Sequence, residues 1–261
     1  MPVNKIVLIG AGNVATQIGK TLHRKGVKIL QVMSRTQKSA ENLASMIGAE
    51  AISDFSEINR DADLYLISVT DDAISEIISK ISPLHGIVAH TSGAVEMDIL
   101  KGSSKKFGVF YPLQTFSKFK ETDFSSIPVC IEASDNETKL ALADFASKIS
   151  NEIRFIDSWQ RSQIHLAAVF VNNFTNYMFA IGNEILDKNN IPFDILYPLI
   201  NETVEKIKHQ NPHQAQTGPA IRNDKKVILK HIKMLQDEPE MQKLYQLISE
   251  QISKSVNPKN K

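Results

Sequence analysis

Cysteine occurs once in 261 residues, as Cys130, so neither an internal disulfide nor a cysteine-built metal cluster is available. Long apolar runs are also missing. The first, Ile6–Ile9, is far too short to cross a membrane, and no later run is both long enough and free of charge. Neither sign of charge is in excess: 30 basic against 29 acidic residues leave a formal +1, which removes the electrostatic case for nucleic acid as the main partner. The seven histidines show no H-E-x-x-H or related ligand spacing, so no metal site is expected. No signal sequence is evident, and a reducing cytoplasm is the expected address. Internal repeats are lacking, and low complexity is confined to the polar tail Asn257–Lys261.

A hydrophobic share of 42% with 23% charged residues is that of a soluble, globular chain. Its first half alternates short apolar runs with helical patterns. Strands are expected at Lys5–Ile9, Lys28–Met33, Leu64–Ser68, Ile87–His90, Phe107–Phe110, Pro128–Glu132 and Ile153–Ile156. Helices are expected at Asn13–Arg24, Gln37–Ile47, Ala73–Ile81 and Glu137–Ile149, the last opened by a Ser134/Glu137 capping box. Continuous apolar strands alternating with helices imply an α/β fold, a doubly wound parallel Rossmann sheet. From about Asp157 the pattern becomes helix only. Asp157 and Gln160 suit the cap of a long helix to about Asp187, Pro198 a kink in the next, and Asp224 and Asp237 the caps of two more. Two domains follow: a dinucleotide-binding domain over 1–156, and a separate all-α domain over 157–261 for substrate and dimerisation.

Lys5–Ile9 runs directly into Gly10-Ala11-Gly12-Asn13-Val14-Ala15, a G-x-G-x-x-A turn between strand and helix. Gly10 permits the tight turn, Gly12 lets the backbone approach a pyrophosphate, and Ala15 allows close helix–strand packing. The helix opening at Asn13 directs unpaired N–H groups at the phosphates. At the end of the second strand, where an NAD site carries a carboxylate, stand Ser34, Arg35 and Thr36. A guanidinium pairs with a ribose 2′-phosphate, and two hydroxyls add donors, so the cofactor expected is NADP(H). A solvated turn is the plainer reading of those three residues.

Together with Ser68-Val69-Thr70-Asp71-Asp72-Ala73-Ile74, these motifs resemble the 6-phosphogluconate dehydrogenase-like superfamily. That group includes pyrroline-5-carboxylate reductase and the NADP oxidoreductases that use a deazaflavin coenzyme. The whole chain is similar to a family that joins such a Rossmann-like domain to a helical domain of unknown function. The similarity rests on His90-Thr91-Ser92-Gly93-Ala94, Tyr111-Pro112-Leu113-Gln114-Thr115-Phe116, His165-Leu166-Ala167-Ala168-Val169-Phe170, Asn173, and Thr217-Gly218-Pro219 with Arg222 and Asp224. The resemblance implies NADP binding and a homodimer through the helical domain. The hydroxyacid dehydrogenases of the superfamily use a lysine on the equivalent helix, paired with asparagine. Here no lysine lies between Ser158 and Asp187, so either His165 replaces it or the chemistry differs.

Ligands of open α/β sheets sit outside the carboxyl ends of the strands. That places Val69, Thr70, Thr91, Ser92 and Tyr111–Gln114 around the cofactor, with Asp71-Asp72 better read as a helix cap. His90 suits either proton donation or loop fixing. His165, Asn172 and Asn176 share a helical face beside Asn173, which reads equally as a catalytic stripe and as a hydrogen-bonded interface. Arg222 is a weaker candidate for an anionic substrate group. The reading is an NADP(H)-dependent oxidoreductase moving hydride to or from a small carbonyl or imine. His165 or His90 would supply the proton, and Asn173 would orient the substrate. The alternative is a non-catalytic NADP(H) sensor; an adenosyl-dependent methyltransferase lacks its ribose carboxylate here.

Overall fold

The computed structural model describes residues 2–256; the tail Asn257–Lys261 lies outside them. The chain divides into two compact units after Val169, later than the change of sequence pattern near Asp157. The first unit contains an eight-stranded sheet in the order β3-β2-β1-β4-β5-β6-β7-β8. Its strands are β1 (Lys5–Ile9), β2 (Lys28–Met33), β3 (Glu50–Ile52), β4 (Leu64–Ile67), β5 (Ile87–His90), β6 (Phe107–Pro112), β7 (Val129–Ala133) and β8 (Ile153–Phe155). All neighbours are parallel except β6 and β7. The helices α1 (Asn13–Arg24), α2 (Gln37–Ile47), α3 (Ile74–Ile81) and α4 (Asn136–Ser147) occupy both sides.

The continuous apolar strands behave as their composition requires. Along β1, Ile6 and Leu8 enter one core with α1, α2 and α4, while Val7 and Ile9 enter the opposite core with α3. A strand buried on both faces has no room for alternating polar residues. β3 was not foreseen: it has three residues at the sheet edge, too few to show a period, and is tied to β2 by Gln31 donating to Glu50 at 2.8 Å. The antiparallel turn of β7 follows because the stretch from Leu113 to Pro128 contains no helix to carry the chain back across the sheet.

Helix ends are set by local chemistry. α5 (Ser158–Ala168) begins with the expected capping box, the Asp157 carboxylate accepting from Gln160 N–H while the Gln160 side chain accepts from Asp157 N–H. For α4 the cap is Asp135, accepting from Thr138 N–H at 2.8 Å, in place of Ser134. Ser134 Oγ instead accepts from Phe107 N–H and donates to the Asp135 carboxylate.

The second unit is helical: α6 (Thr175–Asp187), α7 (Tyr197–His209), α8 (Pro212–Ala215), α9 (Lys225–Met234) and α10 (Pro239–Val256). The long helix expected to Asp187 is interrupted by a wide π turn at Val169–Phe174. Pro198 sits in the first turn of α7, where its missing N–H costs nothing, and so opens a helix without kinking one. Asp224 caps α9 as expected, accepting from Val227 N–H. His231 Nδ1 and Tyr245 Oη meet at 2.8 Å between α9 and α10, and Ser253 Oγ donates to the Ala220 carbonyl. Among the described residues, no helix is long and apolar enough to cross a membrane.

Candidate active site

A cavity of about 660 Å³ opens at the carboxyl ends of the parallel strands, lined entirely by the first unit. Its floor is the turn from β1 to α1. Gly10 holds φ +119°, and a Cβ there would lie 2.1 Å from the Ser68 carbonyl oxygen, so β1 and β4 approach only because the side chain is absent. Above Gly12 a Cβ would meet nothing within 4 Å, and this residue caps α1 without any side-chain acceptor. Open space over uncapped helix N–H groups fits a bound pyrophosphate. Ala11, Asn13 and Val14 complete this floor.

At one end of the cavity lie Ser34 and Arg35, from the end of β2, with Ser39, Phe55, Glu76 and Lys80. Thr36 is absent from the lining because it caps α2, accepting from Ser39 N–H. The cationic end fits a ribose 2′-phosphate. Val69, Thr70 and Asp71 lead toward the other end, formed by Thr91, Ser92, Gly93, Tyr111, Gln114 and His165.

That second end contains a pair no short motif announced. Tyr111, on β6, places Oη 3.3 Å from His165 Nδ1 on α5, the rings meeting edge to face. A Cβ on Gly93 would lie 2.6 Å from His165 Nδ1 and 2.8 Å from Tyr111 Cζ, so the pair occupies space that this glycine leaves. Burial, with a smaller contribution from Cys130, pushes the Tyr111 phenol above its usual range; Arg161 opposes this in part. The phenol therefore keeps its proton at neutral pH.

His90 lies elsewhere. It is fully buried and does not line the cavity. Its Nδ1 accepts from Ser92 N–H at 3.2 Å, leaving the ring proton on Nε2, which has no partner with ordinary hydrogen-bond geometry. Burial, reinforced by the positive charge of Arg161, lowers it from 6.5 to about 4, against weaker opposing effects of the Glu96 backbone and Asp71. A neutral, enclosed imidazole bonded to Ser92 N–H holds the loop that follows β5. Asn173 lies exposed in the π turn of the second unit, with Asn172 beside it. Among the described residues, no group of three or more His, Cys, Asp and Glu side chains is placed to hold a metal.

Arg161 was not singled out by sequence, although it sits one helical turn before His165. It is 1% exposed and ion-paired with Glu132 of β7. It also donates to the Val95 carbonyl at 2.5 Å and to Ser158 Oγ at 3.1 Å. Ser158 Oγ in turn donates to Glu132 and accepts from Met97 N–H.

Two measurements check this geometry. The unfolded chain takes up a proton on His90 near pH 6.5 that the folded chain refuses until about pH 4. Stability is therefore fully present above pH 6.5 and falls as pH drops toward 4, by up to about 3 kcal/mol. Urea unfolding across this range should show that loss, with a smaller slope in His90→Asn; an equal slope in both proteins removes His90 as its source. Gly93→Ala should shift the His165 ring resonances as the Tyr111 pair separates, at a stability cost of about 1–3 kcal/mol. Unshifted resonances would show that the slot is not needed.

Comparison with known proteins agrees with this site. Residues 5–89 match the family described as NADP oxidoreductase, coenzyme F420-dependent, and residues 127–252 match a domain of unknown function, DUF2520. A Bacteroides fragilis protein assigned as an NADP oxidoreductase is 47% identical over 97% of this chain and 98% of its own, with a TM-score of 0.92. Two more distant structures share the fold at 12% identity. An imine reductase from Myxococcus stipitatus in complex with NADP+ has a TM-score of 0.72, over 98% of this chain and 95% of its own. A 1-pyrroline-5-carboxylate reductase from Streptococcus pyogenes has a TM-score of 0.62, over 95% and 98%. No curated protein matches the chain. The glycine turn, the cationic end of the cavity and the 47% identical relative agree: the chain belongs to the NADP oxidoreductases, joined here to a domain of unknown function whose match takes in β7 and β8 as well as the helical unit.

Proposed function

We propose that the protein is an NADPH-dependent reductase of small carbonyl or imine compounds, with Tyr111 and His165 as its proton-donating pair. The observation that carries this reading is that both side chains line the same cavity as the glycine turn and Arg35. When bound, NADPH supplies a hydride to the substrate carbon. Tyr111 Oη gives its proton to the carbonyl oxygen or imine nitrogen as negative charge develops there, and the phenolate left behind recovers a proton from His165 Nδ1 as the other ring nitrogen takes one from solvent. Thr91, Ser92 and Gln114 offer hydrogen bonds that orient the substrate. Asn173 stays a candidate on its own ground, exposed in a π turn, a helical irregularity frequent at functional sites. His90 holds the Thr91–Ser92 loop. The imine reductase that shares the fold makes a C=N bond the first substrate class to test.

The active form proposed is a homodimer through the helical unit. Of its described residues only Ala220 is buried, while Val171 is 74% exposed, Leu229 65% and Leu199 63%. Apolar exposure on that scale favours association with another surface, and a second copy of the same face satisfies it symmetrically. A cytoplasmic address fits the free, buried thiol of Cys130.

Tyr111→Phe should lower kcat by about 10²- to 10⁴-fold in a panel of carbonyls and imines while leaving the Kd for NADPH within twofold. An unchanged kcat would assign the proton elsewhere. If bound NADPH is oxidised by no member of the panel, the reductase reading fails. Sedimentation should give a dimer for the wild type and a monomer for Leu199→Glu/Leu229→Glu; a monomeric wild type ends the homodimer proposal.

A further inference from the structure

Lys80 has no part in the glycine turn, the Ser34–Arg35–Thr36 strand end or the Tyr111 pair, yet it lines the cavity beside Arg35. It lies in the last turn of α3, seven residues after Ala73 and four after Glu76, so all three present to one side of the helix and all three line the cavity. Its Nζ is 2.5 Å from Glu76 Oε1 and 5.2 Å from the centre of the Phe55 ring. Phe55 comes from the turn after β3 and lines the same end. Arg35 arrives from a different element, the end of β2.

We propose, resting on the NADP reading of this cavity, that Lys80 is a second cation of the 2′-phosphate site. In this assignment Glu76 holds its place until the phosphate takes it, and the exchange sets the preference for NADPH over NADH. Lys80 first and Arg35 second hold the Glu76 carboxyl below its usual range, which places that carboxylate in the field of both cations. The Glu76–Lys80 pair is an exposed i, i+4 pair, a weak kind of interaction that a better anion displaces. A 2′-phosphate carries more charge than a carboxylate and offers three acceptor oxygens, so it outcompetes Glu76 for the ammonium. A 2′-hydroxyl carries no charge and does not. With NADH the Glu76–Lys80 pair stays closed, and the hydroxyl gains nothing from either cation. The cation–π contact with Phe55 keeps Lys80 over the cavity while it changes partners.

Calorimetric titration with adenosine 2′,5′-bisphosphate and with AMP, which differ only in the 2′-phosphate, tests this without any need for turnover. Wild type should bind the bisphosphate at least tenfold more tightly than AMP. Lys80→Met should lose most of that ratio, because Glu76 then faces the phosphate uncompensated, while its AMP affinity stays within twofold. Glu76→Gln should raise bisphosphate affinity several-fold and leave AMP unchanged. Arg35→Asp serves as the reference for a lost 2′-phosphate site. A full preference in Lys80→Met alongside its loss in Arg35→Asp overturns the Lys80 assignment alone. An equal loss for both probes in Lys80→Met overturns it as well, since the residue then supports the helix and not the phosphate. A wild type that binds the two probes equally overturns this assignment together with the NADP reading beneath it.

Discussion

The buried ion pair of Arg161 and Glu132 is the interaction on which the Tyr111–His165 end of the cavity depends. Its guanidinium joins three separate pieces of chain: β7 through Glu132, the loop after β5 through the Val95 carbonyl, and the start of α5 through Ser158. Each piece carries a part of the site. The β5 loop brings Thr91, Ser92 and Gly93, and α5 brings His165 one turn beyond the arginine. β7 is registered against β6 so that Cys130 stands opposite Tyr111. Charges taken out of water return little net stability even when well paired, and breaking such a pair costs about 3–5 kcal/mol because a bare charge remains. The pair therefore acts more through position than through stabilisation. It also sets the local electrostatics, since the same positive charge helps keep His90 neutral and partly offsets the burial of the Tyr111 phenol.

The two ends of the cavity recognise by different means. At the nucleotide end the groups are charged, side chains of Arg35, Glu76 and Lys80 from two elements. They are exposed enough to rearrange and close enough to the surface for salt to weaken them. At the other end the lining is hydroxyl, amide, phenol and imidazole, and Arg161 beneath it is already committed to Glu132. A carboxylate or phosphate on a substrate finds no free cation among the first-unit residues that line this end.

Legibility in the sequence followed the range of the interaction. The turn Gly10–Val14 and the strand end Ser34–Arg35 are local, and each residue's reason for being there is written in its immediate neighbours. The Asp157–Gln160 capping box and Asp224 were readable on the same ground. Tyr111 and His165 are 54 positions apart, and their meeting depends on the β6–β7 reversal and on Arg161, neither of which leaves a periodic trace. His90 illustrates the opposite difficulty. A histidine ending an apolar strand before Thr-Ser-Gly suits either chemistry or loop fixing, and its full enclosure, with Nδ1 accepting from Ser92, could be read only from the structure. The expected alignment of His165 with Asn172 and Asn176 assumed 3.6 residues per turn, and the π turn at Val169–Phe174 changes that phase.

Two glycines show how the sheet sets the dimensions of the site. At Gly10 the obstacle to any side chain is a backbone carbonyl, Ser68 O, which cannot move without separating β1 from β4. At Gly93 the obstacles are the Tyr111 and His165 rings, which can move but only by giving up their contact. The first glycine sets the floor of the proposed pyrophosphate site, and the second sets where the proposed proton-donating pair stands. Both lie just past the carboxyl ends of their strands, β1 and β5, with β4 between them. At about 4.8 Å per strand, two steps separate those strand ends by roughly 10 Å across the sheet, and β6 with Tyr111 adds one step more. The spacing between the glycine turn and Tyr111 is thus a property of backbone hydrogen bonding. Changes in the lining side chains can alter which substrate is held, while that spacing stays with the sheet.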